Sequence, residues 1–261
     1  FSHRALKTIT LLTDFGLKDP YAGIMKGVIL SIFPDVRIVD ITHEVDPQDV
    51  REGAFLIEEY YRYFEKGTIH VAVVDPTVGS DRRPIVFSRG GYFFIGPDNG
   101  LFTLLYGGDE QVYAIENKRN MRGEISSTFH GRDIFAPAAA YLASGVQVST
   151  FGRVVEEPVQ LPGLYPVIEK NVLKGEVVRF DRFGNAITNI SKAVMEDFLK
   201  GRPFTIALRD RFFAGFHRSY YEAEITCLIG SSSYLEFGYF RGSLKEKMGL
   251  KKGEQVTIGI S

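Results

Sequence analysis

The chain has 261 residues, enough for one large domain or two ordinary ones with a substantial core. Apolar residues make up 44% and charged residues 24%, as in globular proteins, and the formal net charge of −1 argues against electrostatic binding of nucleic acid or an anionic membrane. No apolar run is long enough to predict a transmembrane helix.

Strand-like and helix-like segments alternate through the first part of the chain. The predicted elements are a strand over 8–16, a helix over 20–35, a strand over 36–42, a helix over 49–64, a strand over 67–76, a hairpin over 84–100, a short helix over 100–107 and a helix over 132–145. This alternation predicts an α/β domain over residues 1–155, with a mostly parallel sheet flanked by helices.

The pattern changes near residue 150. Residues 156–170 carry three prolines without clear periodicity, so we interpret them as a linker. Short β-type runs separated by Gly, Asp and Ser then continue to the end of the chain, with few helical segments. They predict a small all-β barrel or sandwich domain over residues 171–261.

Polar side chains follow several predicted strands. Asp14 ends the first strand, Asp75 ends the third, and Asp98 with Asn99 ends the hairpin, while His130 precedes the Ala-rich helix. Ligands of open α/β sheets bind outside the carboxyl ends of the strands, so these residues could converge on a cleft. Any one aspartate could simply cap a turn, and it is their recurrence that favours a site.

Asp75, Arg82 and His130 together suit the activation of water. A neutral histidine can take a proton near pH 7, a carboxylate can orient it or hold water, and a permanently charged arginine can stabilise hydroxide. At about 4 Å a charge pair of this kind is worth roughly 4 kcal/mol at an effective dielectric near 20. Sequence spacing does not choose between Arg82 and Arg83, and His130 could instead be a loop histidine bonded to backbone.

Other chemistries are less well supported. The sequence has no GxGxxG, P-loop or GxSxG motif, and cysteine is too scarce for a zinc ribbon. Asp14, Asp75, Asp98 and His130 could bind a divalent metal, so a metal-dependent hydrolase is the alternative enzyme hypothesis.

The single cysteine, Cys227, excludes an internal disulfide and predicts a reducing, cytoplasmic compartment. The first residues lack the apolar core and cleavage site of a signal peptide. Since the sequence begins without methionine, the first few residues could be foreign to the native protein, and the sequence leaves open whether residues 1–7 are native.

Six segments resemble the S-adenosyl-L-methionine hydroxide adenosyltransferases, which are relatives of the fluorinating and chlorinating S-adenosylmethionine enzymes. In order, they are LLTDFGLKDPYAGIMKG, VDITHEVDPQDVREGA, VAVVDPTVGSDRRPI, FFIGPDNGLFT, STFHGRDIFAPAAA and RFDRFGNAITNI. The resemblance runs from about residue 8 to the C-terminus. It implies hydrolysis of S-adenosylmethionine to adenosine and L-methionine by attack of water or hydroxide on the ribose C5′, without metal or cofactor. It also implies a homotrimer with each site between two subunits.

The resemblance places the water-activating set on Asp75, Arg82 and His130, with Arg82 chosen because the family spacing from the aspartate is seven residues. Asp14 would hold the ribose hydroxyls. The other implied substrate contacts are Asp19 and Asp181 at the methionine ammonium, Phe183 and Asn185 at adenine, Ser231 and Ser232 at the methionine carboxylate, Phe129 and Phe216 at sulfonium or adenine, and Tyr234.

Some of these assignments stay open. The run of three serines leaves the register of Ser231 and Ser232 undecided, and Tyr234 could belong to the core. The halogenating relatives carry different residues in the water-activating set and an insertion near Arg89–Tyr92, so both departures favour hydrolysis here. The non-enzyme alternative is a module that binds S-adenosylmethionine or adenosine without turnover.

Overall fold

The computed structural model describes residues 6–260, so most of the 1–7 segment, whose native origin the sequence leaves open, lies outside the described residues. The chain forms two compact units, the first ending at Pro162 and the second beginning at Gly163. The strands of the first unit are β1 (Lys7–Thr13), β2 (Val36–Thr42), β3 (Ile69–Val73), β4 (Pro84–Arg89), β5 (Tyr92–Pro97), β6 (Val112–Ala114) and β7 (Val154–Val155). Its α-helices are α1 (Tyr21–Ile32), α2 (Val50–Tyr60) and α3 (Ala136–Ser144).

The sheet of the first unit is mixed, with the strand order β2-β1-β3-β5-β4-β6-β7. β1 pairs in parallel with β2 and β3, and β3 with β5, whereas β4 is antiparallel to β5 and β6, and β6 to β7. The prediction of a mostly parallel sheet is therefore right for the half formed by β2, β1, β3 and β5. It is wrong for the half in which β4, β6 and β7 are added by antiparallel pairing. The chain reverses between β4 and β5 in a two-residue turn at Gly90 and Gly91, whose φ angles of 58° and 89° suit glycine.

Helices cover both faces of this sheet because its central strands are apolar on both sides. In β1, Leu11 joins the cluster that contains Met25 of α1 and the alanines of α3, while the next residue, Leu12, joins the cluster that contains Ile57 of α2. Successive residues of a strand point to opposite faces, so both layers are packed. The carboxyl ends of β1, β3 and β5 consequently share one edge of the sheet, and Asp14, Asp75 and Asp98 follow them there.

The second unit is built on antiparallel pairings. Its strands are β8 (Val167–Glu169), β9 (Val172–Phe180), β10 (Ala186–Ser191), β11 (Phe204–Leu208), β12 (Arg211–Phe213), β13 (Ile225–Ile229), β14 (Tyr234–Tyr239) and β15 (Gln255–Ile260). The first half of β9 pairs with β15 and its second half with β10, so this strand turns the corner of a barrel-like sheet. The enclosed core includes Leu173, Phe237 and Ile258.

Several local predictions differ from the structure. The segment predicted as a linker contains β8, which pairs with β9 despite the neighbouring prolines. The second unit also holds the helices α4 (Lys192–Leu199) and α5 (Leu244–Met248), which the β-type pattern concealed. The short helix expected over 100–107 is a 3-10 turn at Thr103–Leu105.

A π-helical turn, Gly131–Phe135, precedes α3, so the helix predicted over 132–145 takes its α form only from Ala136. Within residues 6–260, no helix combines the length and apolar character needed to cross a bilayer.

Candidate active site

Asp75 and Arg82 form a buried ion pair at the end of β3. Arg82 Nε lies 3.0 and 2.9 Å from the two carboxylate oxygens of Asp75, and Nη2 also donates to Oδ2. The side chains of Arg82 and Asp75 are only 6% and 5% exposed, respectively. Because two nitrogens of the guanidinium engage the carboxylate, the head group of Arg82 is fixed in orientation as well as in charge.

His130 completes this cluster. Its Nδ1 lies 2.9 Å from Arg82 Nη2. A guanidinium can only donate, so Nδ1 accepts the hydrogen bond and the neutral imidazole carries its proton on Nε2. Burial and the nearby charge of Arg82 lower the pKa of His130 from its usual value, against opposing effects of Asp75 and Asp133. The imidazole is thus held neutral, with an N–H group on the side away from Arg82.

One donor of the cluster is unused. Arg82 Nη1 is buried and has no hydrogen-bond acceptor within residues 6–260. Buried polar groups in proteins are normally hydrogen-bonded, so an unsatisfied guanidinium N–H at a strand end points to a ligand. Together with Nε2–H of His130, it gives the cluster two N–H groups suited to an oxygen atom that carries negative charge.

Gly79 allows the loop that carries Arg82 to pack against the segment before His130. It has φ +81°, and a Cβ atom there would lie 2.2 Å from the carbonyl oxygen of Ser127. Glycine is therefore required both for its backbone conformation and for the close approach of the two segments.

Asp133 holds the other segment. Its side chain is fully buried and accepts hydrogen bonds from Ser126 N at 2.9 Å and Arg132 Nε at 2.7 Å. Its own backbone N–H donates to Phe129 at 3.2 Å. The burial of Asp133 was not predicted, although its place in the motif STFHGRDIFAPAAA, three residues after His130, was a signal that it could matter.

The neighbouring Arg83 has a different partner. Arg83 Nε donates to Asp98 Oδ2 at 2.8 Å, and its Nη2 donates to the carbonyl of Glu157 at 3.0 Å. Asp98 also accepts from Val159 N at 2.8 Å, so this pair ties the 157–159 segment to the end of β5. Asp98 is therefore paired with Arg83 and does not belong to the Asp75 cluster. This pairing distinguishes Arg83 from Arg82, a choice that sequence spacing left open.

Asp14 lies close to the cluster. Burial raises the pKa of its carboxyl group, and the negative charge of Asp75 adds to this effect. One oxygen, Oδ2, accepts from the backbone N–H of Gln48 at 2.8 Å. Gln48 has φ +67°, an uncommon conformation for a residue other than glycine, and its contribution was not predicted.

Phe129 and Asp19 lie on the same side of the first unit. The ring of Phe129 packs edge-on against Phe15 at 5.9 Å and Tyr21 at 5.2 Å between centroids. Asp19 is exposed immediately before α1.

The remaining predicted contacts belong to the second unit. Asp181 stabilises the turn between β9 and β10, because its Oδ1 accepts from the N–H groups of Phe183 and Asn185 and its Oδ2 from the side-chain amide of Asn185, all at 2.9 Å. The ring of Phe183 is 74% exposed, whereas Asn185 is buried. The turn therefore leaves the aromatic ring of Phe183 largely exposed to solvent.

Ser231 and Ser232 lie in the turn between β13 and β14, closed by a hydrogen bond from Gly230 N to Tyr234 O of 2.9 Å. This serine turn and the Asp181–Asn185 turn lie at opposite ends of β14, since Tyr234 pairs with Ser191 and Phe237 with Ala186. Tyr234 is half-buried at the start of β14.

Phe216 packs against Phe204 at 5.2 Å between ring centroids, where it lines a cavity of about 400 Å³ next to α4. Its expected contact with the substrate stays a prediction.

The donor set of the cluster fits a metal ion poorly. Both oxygens of Asp75 face the guanidinium of Arg82, and Nδ1 of His130 faces the same cation. Within residues 6–260, the set of three or more His, Cys, Asp or Glu side chains close enough to share an ion is Asp46, Asp49 and Glu52. The side chain of Asp49 caps α2 by accepting from Glu52 N at 2.9 Å, and the side chain of Glu52 accepts from Asp46 N at 3.2 Å.

An α/β unit with a polar cluster at its parallel strand ends, followed by an antiparallel barrel-like unit, defines a two-part α/β-plus-β protein. The family models for the SAM hydroxide adenosyltransferase N-terminal and C-terminal domains match residues 9–152 and 175–257. The chain belongs to the S-adenosyl-L-methionine hydroxide adenosyltransferase family, as its sequence motifs predicted.

Individual relatives agree with this assignment. The (R)-S-adenosyl-L-methionine hydrolase of Thermus thermophilus is 36% identical over 97% of this chain and 100% of its own length. A fluorinase of an Actinoplanes species is 30% identical over 72% of this chain and 73% of its own. The crystal structure of an uncharacterized conserved protein from Thermotoga maritima has a TM-score of 0.86 and 32% identity, and covers 96% of this chain and 99% of that one.

Proposed function

We propose that this chain is an enzyme that hydrolyses (R)-S-adenosyl-L-methionine to adenosine and L-methionine. The observation that carries the proposal is the buried, unsatisfied Nη1–H of Arg82 beside an imidazole held neutral. Membership of the family and the 36% identity to a hydrolase of this name supply the substrate.

The proposed step is an in-line displacement. An oxygen of water or hydroxide bonds to C5′ of the ribose, and the C5′–S bond breaks with its electron pair going to sulfur. When water attacks, one proton is released to solvent; when hydroxide attacks, that proton has already left the water. Arg82 Nη1–H and His130 Nε2–H stabilise the charge on the attacking oxygen, and Asp75 keeps the guanidinium in place. Because a sulfonium is already a good leaving group, positioning the nucleophile supplies much of the rate.

The geometry favours His130 as a hydrogen-bond donor to the attacking oxygen and disfavours it as a general base. Its Nδ1 lone pair is occupied by Arg82, and its other nitrogen carries the proton. We propose that the cluster makes hydroxide more accessible by stabilising it. Neither a metal nor a cofactor is part of this mechanism, in line with the poor fit of the donor set to a cation.

We propose the following division of binding roles. Asp14, held through Oδ2 by Gln48, contacts the ribose hydroxyls with its remaining oxygen, and Asp19 contacts the methionine ammonium. Phe183 and Asn185 serve adenine, Asp181 serves the methionine ammonium together with Asp19, and the serine turn serves the methionine carboxylate. The turn that carries Phe183 and Asn185 and the serine turn lie at opposite ends of β14, which supports separate adenine and carboxylate contacts.

We further propose a homotrimer, each site using the first domain (residues 1–155) of one copy and the second (171–261) of another, joined by the 156–170 segment. Exposed apolar side chains near the predicted site support a second copy, because covering them with another chain would remove apolar surface from water. Leu17 and Tyr21, on either side of Asp19 in the sequence, are 72% and 43% exposed. Phe183 of the second unit is 74% exposed. The lone, buried Cys227 supports a reducing, cytoplasmic setting.

The test is product analysis by chromatography after incubation of the pure protein with S-adenosylmethionine. We expect adenosine and methionine in equal amounts, with activity that survives exhaustive chelation, and no adenosine above background with His130→Ala. Activity abolished by chelation and restored by metal would favour the metal-dependent alternative. Tight calorimetric binding without product over hours would favour a binding module. Light scattering should give three times the chain mass of 29.3 kDa if the trimer is correct.

A further inference from the structure

His43 is a buried histidine next to the ribose side of the proposed site, and neither the sequence motifs nor the proposed mechanism assigns it a role. It follows β2 and is 3% exposed. Its Nδ1 hydrogen-bonds Thr13 Oγ1 at 2.8 Å, and its Nε2 lies 3.1 Å from Asp40 Oδ1 without the alignment of a full hydrogen bond. Asp40 is itself bound by Lys26 Nζ at 2.5 Å. Both ring nitrogens thus face polar partners.

These contacts set the direction of the hydrogen bonds. The negative charge of Asp40 favours a proton on the nearby Nε2, which leaves Nδ1 as an acceptor for the hydroxyl of Thr13. The same hydroxyl oxygen accepts from the backbone N–H of Phe15 at 3.2 Å. A single chain of polar contacts therefore runs from Asp40 through His43 and Thr13 to the residue after Asp14.

Backbone hydrogen bonds of the segment after β2 also hold the residues on either side of Asp14. The carbonyl of His43 accepts from Gly16 N at 2.7 Å, and the N–H of Val45 donates to the carbonyl of Thr13 at 3.3 Å. Farther along this segment, Gln48 donates to the Asp14 carboxylate. Asp14 is consequently flanked on both sides by residues that the 43–48 segment holds in place.

The chain provides an internal comparison for a histidine with a purely structural position. His70 of β3 makes a similar contact to β1, with Nδ1 2.8 Å from Thr10 Oγ1. It is fully buried in the middle of the sheet among aromatic rings, including Tyr60 and Phe94. Both histidines bind a threonine of β1, but only the Thr13 contact leads to Asp14.

We propose that His43 is a positioning residue that acts through Thr13 to hold Asp14 in the orientation that binds the ribose diol. The inference rests on the proposed function. It predicts that His43 affects the affinity for ligands that contain ribose, while the rate of the chemical step, which depends on the Asp75 cluster, changes little.

The experiment measures adenosine binding by calorimetry, together with KM and kcat for S-adenosylmethionine. We expect His43→Ala and Thr13→Val to weaken adenosine binding and raise KM by about tenfold, with kcat within about threefold of wild type. Thr13→Ser, which keeps the hydroxyl, should retain near-normal affinity. His70→Gln should leave adenosine affinity unchanged, and melting temperatures identify any variant that fails to fold.

A double-mutant cycle with Asp14→Ala decides whether His43 acts through Asp14. We expect His43→Ala to cause no further loss of adenosine affinity once Asp14 is removed. An equal loss in both backgrounds, or unchanged affinity of His43→Ala and Thr13→Val, would overturn the inference while leaving the proposed function intact. Failure of the wild-type protein to bind adenosine or release it from S-adenosylmethionine would overturn both.

Discussion

Arg82 Nη2 donates a hydrogen bond of 2.9 Å to Nδ1 of His130, a residue that lies on a different loop of the first unit. This contact joins a permanently charged group to one whose charge depends on pH. A protonated imidazole would have to turn an N–H toward the guanidinium, so the contact exists only with neutral His130. The Arg82–His130 pair therefore sets both the tautomer and the charge state at the proposed site.

The pair of arginines offers a matched test of the cluster. Arg82→Lys should lower kcat by about 10²–10³-fold, because an ammonium cannot hold Asp75 through two nitrogens and also face His130 and an attacking oxygen. Arg83→Lys should leave kcat within about threefold, since its partner Asp98 lies outside the cluster. Product chromatography measures both rates, and equal losses in the two variants would contradict the assignment of Arg82.

His130 should set an acid limb in the pH profile. Its pKa is lowered by burial and by Arg82, so the neutral form persists below the usual value of 6.5 and is lost only at lower pH. We expect kcat to fall on acidification with a midpoint below 6.5. In His130→Gln, which stays uncharged, this limb should disappear while the overall rate is reduced. A midpoint above 6.5 in the wild-type enzyme would show that His130 is not the titrating group.

Gly79 and Gly90 form a second matched pair. Both have positive φ, but an alanine Cβ at position 79 would meet the Ser127 carbonyl at 2.2 Å, whereas nothing lies within 4 Å of one at position 90. Gly90→Ala should cost about 1–2 kcal/mol of unfolding free energy from backbone strain alone. Gly79→Ala should also displace the loop that carries Arg82 and lower kcat by more than tenfold. Urea unfolding and kcat values separate these effects, and an unaffected kcat in Gly79→Ala would argue against a close fit of the loops.

His70 should make stability depend on pH. Burial lowers its pKa from 6.5 to about 3 in the folded protein, so between these values the unfolded chain binds the proton and the folded one does not. Its contribution to stability is complete above pH 6.5 and is lost as the pH falls toward 3, by up to about 1.4 kcal/mol per pH unit. Urea unfolding at several pH values should show a shallower decline in His70→Gln. Identical slopes would mean that other groups dominate.

The sequence predicted the part of the site that follows from strand ends and long motifs. Asp14 and Asp75 were placed together because parallel neighbouring strands end at one edge, and the structure has β1 and β3 in parallel. The choice of Arg82 over Arg83 came from family spacing. Its physical reason, the pairing of Arg83 with Asp98, depends on the antiparallel return of β4, which local patterns do not reveal.

The remaining features depended on tertiary packing. The π-helical turn before α3 has the same apolar spacing as an ordinary helix start, so periodicity placed the helix from residue 132. β8 forms because β9 offers a free edge, which outweighs the proline-rich composition around it. Phe216 packs on Phe204, and in a chain with 21 phenylalanines no composition signal distinguishes such a ring from one that contacts a ligand.

The ion pair at the end of β3 has a consequence for which nucleophile can be used. The carboxylate of Asp75 cancels the charge of Arg82, His130 adds none, and Asp14 leaves the surroundings with a surplus of negative charge. A sulfonium cation is attracted to these surroundings. Water enters them without a charge to desolvate and gains negative charge only beside the two N–H groups of the cluster, so the proposed site can take its nucleophile from solvent water.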